Sequence, residues 1–343
     1  MNIVVLAGGI STERDVSLTS GRNIVKALRS AGQNAILLDV YLGYSGNAER
    51  FFVDNDGEVD TASTIGLKDP SIEAIKQARG IDSDEFFGPN VLKICKAADF
   101  VFMGLHGEDG ENGKVQAALD LMGIRYTGSG CIGSALAMNK YFSKQLMTAN
   151  GIQTADYTVM QKGSTETPDF ALPCVIKPCS GGSSVGVSIV QTPQEYQTAI
   201  DKAFRYEGDI IIETYIKGRE FSVGVLGNTV LPPIEIIPKE GFYDYENKYQ
   251  AGKTVEICPA ELTDAQTATV QSYAKRVFDV LGLEVYGRID FILNEADGDF
   301  YCLEANSLPG MTQLSLLPQE AQAIGIDYPS LCMKIIELSQ EKY

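Results

Sequence analysis

The sequence contains no C-x-x-C pair, no G-x-x-x-x-G-K-[ST] string, no apolar run of membrane-spanning length and only one histidine. Each absence removes a class of function. The seven cysteines (Cys95, Cys131, Cys174, Cys179, Cys258, Cys302 and Cys332) are scattered and odd in number, which indicates neither a zinc cluster nor a disulfide framework. Most are expected to be reduced and buried. Without a P-loop, nucleotide phosphates would have to be held by another device. The opening Met1-Asn2-Ile3-Val4-Val5-Leu6-Ala7-Gly8-Gly9 lacks a basic n-region and a long h-region, so a cytoplasmic protein without membrane association is expected. Basic residues are also scarce: 28 Lys and Arg against 45 Asp and Glu give a formal charge of -17. That balance disfavours nucleic acid as a partner but permits a small phosphate pocket lined by a few lysines.

A length of 343 residues suits two or three domains, and 44% hydrophobic with 21% charged content is ordinary for a globular enzyme. The first stretch predicts a βαβ unit: a strand over 3–7, a glycine turn, a helix over 16–30 and a strand over 35–40. Residues 43–90 lose periodicity and predict a loop region with one short helix near 71–78. A strand over 100–103, the loop Leu105-His106-Gly107 and a helix around Val115 to Met122 continue a parallel sheet. After Thr127-Gly128-Ser129-Gly130, a helix over 132–150 opens a second domain. Strands are predicted over 157–160, 174–177, 187–190 and 210–213, with a helix over 193–204. From Arg219 onward, alternation at Phe221, Val223 and Val225 predicts a half-buried antiparallel strand. Thr263-x-x-Gln266 is a capping-box match opening a helix, and helices near 318–323 and 329–338 close the chain.

Two strings carry hard oxygen ligands. In Gly287-Arg288-Ile289-Asp290 and Leu303-Glu304-Ala305-Asn306, polar and apolar residues alternate at period two, so in strands Arg288 and Asp290 share one face, as do Glu304 and Asn306. Two carboxylates and an amide oxygen suit Mg²⁺, whose shell is usually completed by water and substrate phosphates. The bland alternative is a solvated Arg288–Asp290 pair. Apolar Val285, Ile289, Phe291, Ile292, Tyr301 and Leu303 around them favour the ligand reading, because buried charge is costly unless compensated. Between two predicted strands, Ser180-Gly181-Gly182-Ser183-Ser184-Val185-Gly186 would let backbone N–H groups approach phosphates, or is an ordinary flexible hairpin. Lys177 and Lys140 are candidate phosphate charges. Gly128-x-Gly130-x-x-Gly133 formally matches a dinucleotide fingerprint, but it comes late in the domain and no suitable acid follows about 20 residues on. His106 ends a strand of the parallel sheet, where ligand sites gather, and is either functional or structural.

Together these strings resemble the D-alanine–D-alanine ligase family of the ATP-grasp superfamily. The resemblance rests on the run from Ala7 to Leu18, Leu105-His106-Gly107, Tyr126 to Gly130, Gly182 to Gly186, Tyr243 to Tyr249, the Arg288 and Glu304 strings, and Pro309-Gly310-Met311-Thr312. It covers 43–90 poorly. It implies an α/β (α+β) ATP-grasp fold in three domains: 1–128 binding the first substrate, 129–213 with the glycine-serine phosphate loop, and 214–343 with the metal site. It implies ligation of two D-alanines with ATP through an acyl phosphate, for peptidoglycan precursor synthesis, with two Mg²⁺ or Mn²⁺ ions, and a homodimer. By resemblance, Glu13 binds the first ammonium, and Ser183 bridges Glu13 and Tyr249. Lys140, Lys177 and Lys248 hold phosphates beside Ser184, while Glu213, Ile216 and Glu220 surround adenine and ribose. Asp290, Glu304 and Asn306 ligate metal, Arg288 and the Gly310 amide stabilise oxyanionic charge, and His106 is counted among the catalytic residues. Ser315 and Leu316 receive the second carboxylate. Ser180-Gly181 stands where many relatives have Arg-Glu, and Val285 where glycine is common. Tyr249 points to D-alanine rather than D-lactate as second substrate. Another ATP-grasp ligase and a binding protein without turnover remain as alternatives.

Overall fold

The structure is a computed structural model that describes residues 1–54, 71–80, 85–164, 168–182, 185–239 and 253–343. Strand β1 (Asn2–Ala7) is buried at every position after its first. That two-sided burial requires its unbroken apolar run and suits the centre of a parallel sheet. It pairs in parallel with β2 (Asn34–Asp39) and β3 (Phe100–Met103), in the order β2-β1-β3. The connecting helix Arg14–Ser30 buries Val16 and packs Ile24, Val25 and Leu28 into the same core. Beyond β3, Tyr126 adds only an isolated bridge to Val101. The hydroxyl of Thr127 takes over there, accepting the Met103 N–H at 2.9 Å. In the poorly periodic region, the predicted short helix is Ile72–Arg79, capped by Ser71 and ended by left-handed Gly80.

The helix predicted over 132–150 is two helices, Cys131–Met138 and Lys140–Ala149. Asn139 is extended between them, and its side chain accepts the N–H groups of Tyr141 and Phe142. The backbone N–H of Lys140 is drawn out to the carbonyl of Cys179 at 2.8 Å. A contact 39 residues distant in sequence, rather than local propensity, therefore breaks the helix.

Four strands, β4 (Tyr157–Gln161), β5 (Cys174–Pro178), β6 (Ser188–Val190) and β7 (Asp209–Thr214), form an antiparallel sheet in the order β4-β7-β5-β6. A larger sheet holds β8 (Gly218–Leu226), β9 (Thr229–Val230), β10 (Ile234–Pro238), β11 (Thr254–Ile257), β12 (Tyr286–Asn294) and β13 (Phe300–Asn306). Its order is β11-β10-β8-β12-β13, with β9 on β8. One face carries Phe221, Val223, Val225, Ile289, Phe291 and Cys302, all fully buried with the helix Asp264–Val280. Each such large side chain contributes about 1.5–3 kcal/mol. That helix opens with the capping box anticipated at Thr263 and Gln266. Among the described residues no helix is long and apolar enough to cross a membrane. All seven cysteines are free; Cys131 and Cys258 are half-buried and the others buried.

Candidate active site

The other face of the large sheet is polar. Asp290 lies opposite Glu304 across β12 and β13, and Arg288 lies opposite Asn306. A register shift after Asp290 pairs Phe291 with Cys302 and leaves Leu303 as an extra residue. On its other edge β12 brings Ser222 opposite Asp290 and Glu220 opposite Ile292. The Arg288 guanidinium grips Asp290 at two points, Nε to Oδ1 at 3.0 Å and Nη2 to Oδ2 at 2.9 Å. Ser222 Oγ donates to Oδ1 at 2.8 Å and Asn306 Nδ2 to Oδ2 at 3.1 Å. Lys140 Nζ stands 3.4 Å from Glu304 Oε2. The carboxylates are thus held by the protein's own cations, neither bare nor merely solvated.

Two carboxylates on adjacent strands, with the Asn306 amide beside them, form an all-oxygen donor set that fits a small hard divalent ion with places left for water and phosphate oxygens. Among the described residues no group of three or more His, Cys, Asp or Glu gathers as a metal site, here or elsewhere, so the third donor here would be the Asn306 amide.

A cavity of about 570 Å³ opens in front of this face. Lys140, Lys177, Gly181, Gly182, Glu213, Ile216, Glu220, Asp290 and Glu304 line it, so phosphate-loop, nucleotide and metal candidates meet in one space. The Glu213 carboxylate is wedged between two lysines, 2.5 Å from Lys177 Nζ and 3.0 Å from Lys144 Nζ. Burial alone would raise its pKa, but the two lysines outweigh burial and hold it at about 2. Lys177 stays charged because Glu213 and Glu304 overcome its burial and push it up.

The parallel sheet presents a second hollow of about 300 Å³, lined by Gly8, Gly9, Ser11, Thr12, His106 and Gly107 at the carboxyl ends of β1 and β3. Glu13 is the residue before the helix Arg14–Ser30 and is 8% exposed. A Cβ added to Gly107, or one added to Gly182, would come within 2.9 Å of its Oε2. Glycine at both positions therefore lets the loop after β3 and the glycine-serine loop approach one carboxylate.

His106 is a tether. Its Nδ1 is 3.1 Å from the Leu308 carbonyl, which can only accept, so Nδ1 carries the proton and Nε2 accepts from Ser20 Oγ at 2.9 Å. Burial lowers its pKa, against the pull of Glu13, and the ring is neutral. It thereby fastens the loop bearing Gly310 to the first sheet. Ser315 precedes the helix Leu316–Ala323, and its Oγ accepts the Thr312 N–H at 3.0 Å. Ser183, Ser184, Lys248 and Tyr249 lie outside the described residues.

Three groups escaped sequence reasoning. Glu111 accepts the Gly107 N–H at 2.8 Å and shares a small space with Lys140, Gly182, Glu304 and Asn306. Burial, reinforced by Glu13, raises its carboxyl to about 8. The acidic run after Leu105-His106-Gly107 was the available signal. Glu320 is fully buried near Gly224, with burial lifting its pKa well above the carboxylate range. Lys144 reads in sequence as one more helix lysine, yet its side chain is 0% exposed.

The fold and donor set define an ATP-grasp type of enzyme, and comparison with known proteins narrows this. The family described as "D-ala D-ala ligase N-terminus" matches residues 2–129, and "D-ala D-ala ligase C-terminus" matches 146–337. The chain belongs to the D-alanine–D-alanine ligase family. It is 46% identical to the D-alanine–D-alanine ligase of Pediococcus pentosaceus, covering 100% of this chain and 99% of that protein. It is 40% identical to that of Geobacter sulfurreducens, covering 97% and 92%. The structure resembles the crystal structure of D-alanine–D-alanine ligase from Bacillus anthracis complexed with ATP, with TM-score 0.74 and 29% identity, covering 100% of this chain and 98% of that one.

Proposed function

We propose that this protein joins two D-alanine molecules to D-alanyl-D-alanine at the expense of ATP, through an acyl phosphate. The observation that carries this reading is the single cavity in which Lys140, Lys177, the glycine loop, Asp290 and Glu304 converge. A carboxylate is a poor electrophile until activated. Its oxygen attacks the γ-phosphorus of ATP, the bond to ADP breaks, and the resulting acyl phosphate is then attacked by the second amine, which expels phosphate. No side-chain nucleophile is needed; the protein positions groups and offsets developing charge.

In this reading Glu13 takes the first ammonium, and Lys140 and Lys177 orient the phosphate tail. Glu213, Ile216 and Glu220 flank adenine and ribose. Arg288 and the Gly310 amide face oxyanionic charge, and His106 holds the Gly310 loop in register. Ser315 and the first N–H groups of the helix Leu316–Ala323, with Leu316, receive the second carboxylate, as a helix N-terminus favours. Asp290, Glu304 and Asn306 would hold two Mg²⁺ or Mn²⁺ ions, which when bound neutralise phosphate charge. Ser183, Ser184, Lys248 and Tyr249 keep the roles the resemblance implies, with Tyr249 favouring D-alanine over D-lactate. Division into domains at 1–128, 129–213 and 214–343, a homodimer, and a place in peptidoglycan precursor synthesis belong to the same proposal.

The test is phosphate release from ATP and Mg²⁺ with each enantiomer of alanine, the product weighed by mass spectrometry. Release with D-alanine and not L-alanine, together with a D-alanyl-D-alanine mass, is expected. Equal release with both, or none with either, would refute the reading.

A further inference from the structure

The helix Lys140–Ala149 buries Lys140, Ser143, Lys144 and Met147 along one face. Lys140 reaches the nucleotide cavity, whereas Lys144, one turn on, does not line it. A lysine without access to water needs a reason to be there. Its Nζ is 3.0 Å from Glu213 Oε2, while Lys177 Nζ takes Oε1 of the same carboxylate at 2.5 Å. Lys144 also donates to Thr154 Oγ1, and Thr154 Oγ1 donates to the Cys302 carbonyl at 2.8 Å. Cys302 is on β13, two residues before Glu304. The chain Lys177–Glu213–Lys144–Thr154–Cys302 therefore runs from the cavity wall on the β5–β7 pair, through groups that do not line the cavity, to the strand bearing a metal candidate.

One carboxylate shared by two lysines leaves a unit of positive charge uncompensated, and of the two lysines only Lys177 is on the cavity wall. With Glu213 and Lys177 alone, the pair would close on itself and be neutral. We propose that Lys144 is a positioning residue for nucleotide binding: by sharing Glu213 it keeps the charge of Lys177 available to the phosphate tail. This rests on the assignment of Lys177 to phosphate made above. The directions of titration agree, since burial lowers Lys144 against the pull of Glu213, while Glu213 stays ionised and Lys177 charged.

The experiment measures affinity by calorimetry for adenosine, AMP, ADP and a non-hydrolysable ATP analogue with Mg²⁺, in the parent, Lys144→Met and Lys177→Met. In Lys144→Met, affinity for the ATP analogue should fall ~10- to 100-fold, the worth of one contact to a charged group, with a progressively smaller loss down to adenosine. Equal losses for adenosine and the ATP analogue would make Lys144 a merely structural group and overturn the proposal, as would unchanged affinity. If Lys177→Met leaves ATP-analogue affinity unaltered, the phosphate assignment fails and the inference with it. If Lys177→Met weakens that affinity and Lys144→Met does not, the inference alone fails. Should Lys144→Met not fold, Lys144→Gln keeps a polar head for Glu213 and Thr154, and its affinities are read in the same way.

Discussion

Asp290→Asn tests the polar face of the large sheet most directly, because it removes charge with little change of volume. In the parent, Asp290 accepts two bonds from Arg288, one from Ser222 and one from Asn306, at 2.8–3.1 Å. The side chains of Arg288 and Asp290 are only 14% and 10% exposed, so their pairing is little screened. Breaking a buried pair costs about 3–5 kcal/mol, and the open cavity beside this one argues for the lower end. Asparagine also turns an NH₂ group toward donors that formerly met an acceptor, which leaves at least one of them unsatisfied. A loss of about 3 kcal/mol of ligand-free stability is expected, measured as the shift of a urea unfolding curve. Turnover should fall by about 10³-fold, the worth of some 4 kcal/mol in a transition state stabilised by metal and guanidinium. Raising Mg²⁺ should not restore it, as followed by D-alanine-dependent phosphate release. A variant within about 0.5 kcal/mol of the parent, a margin typical of surface substitutions, and equally active would refute both the clamp and the metal assignment.

Glu111→Gln should remove a pH dependence of stability. With its carboxyl raised to about 8, the folded protein keeps a proton that the unfolded chain releases from about 4.5, so stability falls as pH rises between those values. Ligand-free urea midpoints at pH 5 and pH 8 should diverge in favour of the variant at pH 8, and parallel profiles would contradict the assignment. Gly224→Ala would set a Cβ 2.3 Å from Glu320 Oε2 and 2.5 Å from Leu317 Cδ1. A loss of about 1–3 kcal/mol from overpacking is expected in thermal unfolding, partly relieved by a second change, Glu320→Ala. Val285 has φ 66°, a left-handed conformation that strains a β-branched side chain. Val285→Gly should therefore cost under about 1 kcal/mol by urea unfolding, because relief of about 1–2 kcal/mol of strain offsets lost burial.

Local pattern revealed most of the framework. The unbroken apolar run of β1 marks a strand covered on both faces, and alternation along β12 and β13 marks a half-polar sheet. The Thr263 capping box located its helix, because cap chemistry is contained within four residues. Features created by distant partners were hidden. The break at Asn139 depends on Cys179, and the extra residue at Leu303 depends on how β13 meets β12. Of the candidate site, residue types with few other uses were legible: Arg288, Asp290, Glu304 and the glycine loop. His106 was readable only as either functional or structural, and its place as a tether follows from the approach of Leu308 and Ser20. Lys144 and Glu320 were invisible, since a lysine or glutamate on a helix ordinarily faces water.

The electrostatic design explains how a chain of charge -17 can hold a polyanion. Arg288 is paired with Asp290, Lys140 with Glu304, and Lys177 with Glu213. Each of these cations has an anionic partner, although Lys177 shares its carboxylate with Lys144, so ligand entry exchanges one partner for another. A divalent ion at the proposed site would compete with Arg288 and Lys140 for the carboxylates, and each cation so released would be free to meet phosphate or oxyanion. The two kinds of ligand would then assist each other without any large rearrangement of the strands. Metal and nucleotide should bind more tightly together than the product of their separate affinities, and the Asp290→Asn substitution should abolish that coupling. Calorimetric titration of the ATP analogue with and without Mg²⁺ measures it; equal coupling in parent and variant would show that Asp290 is not where the exchange occurs.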